Sequence, residues 1–146
     1  MLKLFLCLYL VGTNWSCTSS RSNMQSAKDI AFQIDFQDFF SKDFVELKVN
    51  ACHIFSDTIT SDKSDGFTST RISANLENGK TTYLIEYKGK SEACISETDG
   101  LNLIVTVNNN QNKFKIDLAK GKFIGFSKKN KNELYFTQSK NPFVYD

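Results

Sequence analysis

The sequence predicts an all-β fold: a single antiparallel, meander-rich β-sandwich, with an up-and-down β-barrel as the alternative. Three observations carry this. Apolar residues recur at every second position in one segment after another, the pattern of half-buried strands. Turn residues, Asn78-Gly79 and Asp99-Gly100 among them, separate these segments at the spacing of all-β domains. Thirteen Phe against a single Pro favour extended structure and a large apolar core.

The alternation is clearest in residues 31–55. Phe32, Ile34 and Phe36 share one face, with Gln33 and Asp35 on the other. Val45, Leu47 and Val49 repeat the pattern opposite Glu46 and Lys48. The parity then flips to Cys52 and Ile54. A two-residue turn at Asn50-Ala51 accounts for the flip, because it sets Val49 opposite Cys52. Residues 56–66 (SDTITSDKSDG) form the longest polar connection and the only one long enough to cross readily between sheets.

Residues 67–76 read as the next strand, with Thr68, Thr70, Ile72, Ala74 and Leu76 in phase. Asn78-Gly79 turns the chain into 81–87, where Tyr83, Ile85 and Tyr87 share a face. Gly89 leads into 92–96. Asp99-Gly100 leads into 101–107, where Leu101, Leu103, Val105 and Val107 alternate with polar neighbours. After a polar loop at 108–112, Phe114, Ile116 and Leu118 alternate with Lys115 and Asp117. Turns at 119–121 and 128–132 bound two last strands, 123–127 and 133–138. Short connections of this kind predict that sequence neighbours pair as hairpins. No helix, internal repeat or second domain is expected.

The first residues stand apart. Lys3 precedes an unbroken apolar run, 4–11, too short to span a bilayer as a mature helix and broken by Gly12-Thr13. Residues 1–16 therefore read as a signal peptide. Asn14-Trp15-Ser16-Cys17 resembles the lipobox of bacterial lipoproteins: Ser16 is suitably small, while Asn14 and Trp15 depart from the usual Leu and small residue. The resemblance covers only these first seventeen residues. It implies lipidation at Cys17 and a cell-envelope location, lipid-anchored and facing the periplasm or the cell surface; plain secretion is the alternative. Residues 17–28 then serve as lipid attachment and Ser-rich tether, and 29–146 as the domain.

With Cys7 in the leader and Cys17 lipidated, Cys52 and Cys94 remain. In an oxidising compartment they form a disulfide or stay as two buried thiols. Chemistry is harder to find. The one His, His53, follows Cys52 directly, so on a strand the two point to opposite faces and cannot act as a catalytic pair. No CxxC, HExxH, GxGxxG or Walker pattern occurs. No catalytic residue and no cofactor is therefore expected. The one metal candidate is the acidic loop with Asp57, Asp62 and Asp65, oxygen-rich enough for Ca²⁺. Its spacing does not match an EF-hand, and the same residues also make an ordinary solvated turn.

Formal charge is +2, which implies no strongly charged partner. Lysines crowd residues 113–140, where they guard strand margins or meet anionic envelope polymers. No nucleic-acid partner is expected, because the aromatics face inward. Phe143 and Tyr145, after Pro142, either fold back on the sandwich or form a recognition patch. The expectation is thus a non-enzymatic, membrane-anchored binding or assembly module for protein or glycan. A lipocalin-like carrier of an apolar ligand and a periplasmic inhibitor or immunity protein are the alternatives.

Overall fold

We used a computed structural model of the chain. It describes residues 30–50, 52–77, 82–95, 100–130 and 133–145. Cys17, the leader and the tether lie outside the described residues, as do Asn78-Gly79, Asp99 and the side chain of Ile95.

Among the described residues, ten strands form two packed sheets: β1 (Ile30–Phe36), β2 (Asp43–Val49), β3 (Cys52–Ile59), β4 (Arg71–Glu77), β5 (Thr82–Tyr87), β6 (Lys90–Ile95), β7 (Leu101–Val107), β8 (Asn110–Ile116), β9 (Phe123–Lys128) and β10 (Leu134–Ser139). A six-stranded sheet runs β10-β9-β1-β4-β5-β6, and a four-stranded sheet runs β3-β2-β7-β8. The sheets are not closed on each other, so the fold is a sandwich and the barrel is excluded.

Alternation places the core. Phe32, Ile34 and Phe36 from β1 and Val45, Leu47 and Val49 from β2 are fully buried, as are Ile72 and Ala74 from β4. Leu101, Leu103 and Val105 from β7 extend the buried face of β2, and Ile124 and Phe126 from β9 extend that of β1. Phe36 sits at the hub of edge and stacked ring contacts with Phe40, Phe55 and Phe126, at 5.7, 5.4 and 5.7 Å between centroids. Such pairs add to the area term that dominates folding.

Several sequence expectations need correction. The β2–β3 hairpin has the expected register, Val49 opposite Cys52, with Asn50 at φ +52°. Its partner strand, however, does not end near Ile54. A β-bulge sets Leu47 opposite Phe55 and Lys48 opposite His53, which shifts the phase and carries β3 on to Ile59. Phe55 and Ile59 thereby turn inward, and the polar connection becomes residues 60–70. β4 starts only at Arg71, because Phe67 to Thr70 lie in that connection. Residues 110–112 belong to β8 rather than to a loop. Asn108 and Asn109, at φ +47° and +71°, make a two-residue turn suited to a twisted hairpin. Lys88-Gly89 does the same between β5 and β6. Leu118–Lys120 is a single 3₁₀ turn capped by the Asp117 carboxylate, which accepts from the Ala119 amide at 3.0 Å.

Topology departs from the expectation as well. β1, β3, β6 and β8 do not pair with the strand that follows; the chain crosses between sheets after each of them. The links 37–42 and 117–122 are short enough to do this because the partner sheet begins directly across the core, whereas the crossing after β3 uses the longer connection 60–70. β1 and β9 pair in parallel, Gln33 beside Phe123, while every other described ladder is antiparallel. Lys128 is not a loop lysine. It lies in phase with Ile124 and Phe126, is 7% exposed, and its ammonium reaches both carboxylate oxygens of buried Asp43 at 2.7 Å.

Candidate functional site

β1, β3 and β9 end, and β2 and β4 begin, at one end of the sandwich. The loops 37–42 and 60–70 meet there and form the most elaborate non-strand surface among the described residues. The loop 37–42 splits two adjacent aromatics. Phe40 is buried against Phe36, whereas Phe39 is 68% exposed with φ +68°. A bulky side chain in that backbone region costs on the order of 1–3 kcal/mol, held only where the surroundings enforce it.

The enforcing contacts are short. The Gln37 amide donates to the Phe126 carbonyl at 2.7 Å, and the Lys128 amide to the Asp38 carbonyl at 3.1 Å. The Phe40 amide donates to the Ser61 hydroxyl at 3.0 Å; that hydroxyl in turn donates to the Gln37 carbonyl at 2.5 Å. The Ser61 amide returns a bond to the Phe40 carbonyl at 2.9 Å. Ser61 thus stitches one loop to the other. Gly66, at φ +71°, lies so close to the Asp38 carboxylate that a Cβ there would overlap it. Only glycine combines that backbone with that approach.

Between the loops lies an open groove of about 600 Å³ lined by Asp38, Phe39, Phe40, Ser41, Thr60 to Lys63, Asp65 and Gly66. A second hollow of about 500 Å³ adjoins it, lined by Thr60 to Lys63 and Phe67 to Ser69. One aromatic face, several hydroxyls and several carboxylates border the same space. That set can stack on an apolar or sugar ring face while offering hydrogen bonds around its rim.

The proposed calcium ligands do not converge. Asp57 lies on β3, not in a loop. Its carboxylate accepts from the Lys88 ammonium at 2.6 Å and the Tyr87 hydroxyl at 3.2 Å, and the Lys88 bond holds its pKa below the usual value. Asp62 closes a turn by accepting from the Ser64 amide and hydroxyl at 2.8 and 2.7 Å, which lowers its pKa too. Asp65 accepts from the Phe67 amide at 2.9 Å. Among the described residues no group of three or more acidic, His or Cys side chains is placed to hold a metal. His53 sits in the open, 3.8 Å from Glu46.

Cys52 and Cys94 do meet. Their sulfurs are bonded, with Cα atoms 5.9 Å apart, and the bridge ties edge strand β3 to edge strand β6 across the two sheets.

Sequence reasoning missed a second polar cluster, on the outer face of the larger sheet. Asp35 is fully buried there; it accepts from Gln33 Nε2 and from Arg71 Nε, both at 2.7 Å. The tail after β10 folds back over this face. Tyr145 stacks on Phe67 at 4.3 Å, and its hydroxyl accepts from Gln37 Nε2 at 2.9 Å. Burial pushes the Tyr145 pKa up to about 12. Of the two fates open to the tail in the sequence, fold-back is the one adopted. The signal was present in Gln33, Asp35 and Gln37, three polar residues in alternation whose parity alone does not reveal a cover.

No family model, no curated protein and no solved structure matches this chain. Its function is therefore argued from its own residues.

Proposed function

We propose that this chain is an exported, lipid-anchored, non-enzymatic binding module that engages a protein or glycan partner through the loop end of its sandwich. The observation that carries the reading is Phe39: a large apolar ring held out to solvent, in a costly backbone conformation, on the wall of an oxygen-rich groove. Stability alone gives no reason to present a phenylalanine there, and strain of this kind concentrates at recognition sites. The inter-sheet disulfide supports an oxidising compartment. The lipobox-like segment ending at Cys17 supports an anchor. An inhibitor or immunity protein would be one form of the same module. A lipocalin-like carrier finds less support, because that reading rested on a closed barrel.

Two measurements test the proposal. A photoreactive phenylalanine analogue placed at position 39 should cross-link one partner in the cell envelope, and the same analogue at exposed Val144 should not. Equal, diffuse labelling from both positions would remove the loop end as the binding surface. Growth with a labelled fatty acid should mark the wild-type chain and leave Cys17→Ala unmarked. Equal labelling of the two, or none in either, would remove the anchor at Cys17.

A further inference from the structure

Among the described residues the sandwich has four edge strands, β3 and β8 on one sheet and β6 and β10 on the other. An edge exposes unpaired backbone groups and recruits further strands unless charge or cover prevents it. Three edges are guarded. β3 carries His53 and Asp57, β6 carries Lys90 and Glu92, and β8 carries Lys113 and Lys115. The bridge between Cys52 and Cys94 closes the β3–β6 side as well. β10, LYFTQS, carries no charged residue and no proline. Tyr135 on its outer face is 40% exposed and Phe136 on its core face is 38% exposed.

The ladder phase shows which groups are free. The Lys129 amide bonds the Glu133 carbonyl at the mouth of the β9–β10 hairpin. Bonded pairs then recur at every second residue, Tyr135 with Ser127 and Thr137 with Gly125. The backbone groups of Leu134, Phe136 and Gln138 therefore point away from β9, and among the described residues β10 pairs with no other strand.

We infer that β10 is a self-association edge, pairing antiparallel with β10 of a second copy of this chain about a two-fold axis at Phe136. The strand is self-complementary in that register. Phe136 falls beside its own equivalent, extending the aromatic seam it already forms with Phe114 and Phe126 at 5.2 and 6.3 Å. Tyr135 falls opposite Thr137 of the other copy. The two ends bear opposite charges, Glu133 before the strand and Lys140 after it, and antiparallel pairing brings each end of one copy to the other end of its mate. Two-fold pairing closes on itself, so the product is a dimer with one continuous sheet rather than a fibre. No residue of β10 lines the groove between the loops 37–42 and 60–70.

Charge reversal on the full chain tests it. Two differently tagged copies are co-expressed and one tag is purified. Wild-type copies should co-purify. Tyr135→Lys with Thr137→Lys places like charges directly opposite twice and should reduce homotypic recovery at least tenfold, as should Tyr135→Glu with Thr137→Glu. Both side chains lie on the outer face of the sheet, away from the core, and the mixed pair below controls for folding. A Lys-substituted copy mixed with a Glu-substituted copy should recover association. Wild-type copies that fail to co-purify would overturn the inference. So would a Lys-substituted pair that associates as well as wild type, or loss in both homotypic pairs without recovery in the mixed pair.

Discussion

Lys128→Ala should destabilise the domain by about 3–5 kcal/mol, because it strands the Asp43 carboxylate inside the protein. Among the described residues two ion pairs link the sheets at the loop end, the exposed Lys88–Asp57 pair and this buried one. Asp43, 4% exposed on β2, receives Lys128 from β9, the Ser41 amide at 2.7 Å and Asn108 Nδ2 at 2.5 Å. Burial by itself would raise the Asp43 pKa, but the hydrogen bonds from Lys128, Ser41 and Asn108, with the charge of Lys128, outweigh it and hold the group below 3.8. A carboxyl with a depressed folded-state pKa contributes stability that is complete above its unfolded value. That stability is lost as pH falls through the folded value. Urea unfolding should therefore give constant stability between about pH 5 and 7 and a decline below about pH 4. Lys128→Ala should start lower, and the decline arising from Asp43 should shrink, since protonation then relieves an unpaired charge. A loss below about 1 kcal/mol would mean that the Ser41 and Asn108 bonds satisfy the Asp43 carboxylate without Lys128.

Removing the disulfide should cost about as much. The bridge spans a sequence separation of 42, for which the loop-closure model gives about 4 kcal/mol of stabilisation, acting through the unfolded chain. Cys52→Ser with Cys94→Ser should lower the urea midpoint accordingly. The unfolding slope should rise, because the unfolded state becomes less compact. Cys94 is 1% exposed, so Cys94→Ala with Cys52→Ala separates the cross-link from the burial of a serine hydroxyl. A variant pair within about 1 kcal/mol of wild type would show that packing of β3 against β5 and β6 already suffices.

How much of this was legible in the residues varies by element. Strand positions and inward faces were, because a two-residue period translates directly into burial; β7 is the plainest case, with Leu101, Leu103, Val105 and Val107 all buried. The bulge near Ile54 was not. One inserted residue reverses the phase, and the apolar positions before and after it read as two elements. Pairing order was not legible either, since period says which face a residue takes and not which strand lies beside it. Asp43 and Lys128 show a signal that was present and outweighed. Asp43 is in phase with Val45 and Leu47, and Lys128 with Ile124 and Phe126, so both belong to the core face by parity. Lys128 opens a run of polar residues, and composition masked its phase. The loop-end groove left almost no trace. Its walls come from two distant segments, and neither the backbone sign at Phe39 nor the Ser61 stitch has a sequence signature.

The pairing of β1 with β9 carries a consequence for how the molecule is made. The strand at the heart of the larger sheet borders β9, with seven strands between them in the sequence, so that sheet cannot be completed until β9 is available. Contacts between such remote segments make assembly slow relative to local zippering. Until β9 arrives, β1 keeps one side open and the six-stranded sheet stays divided.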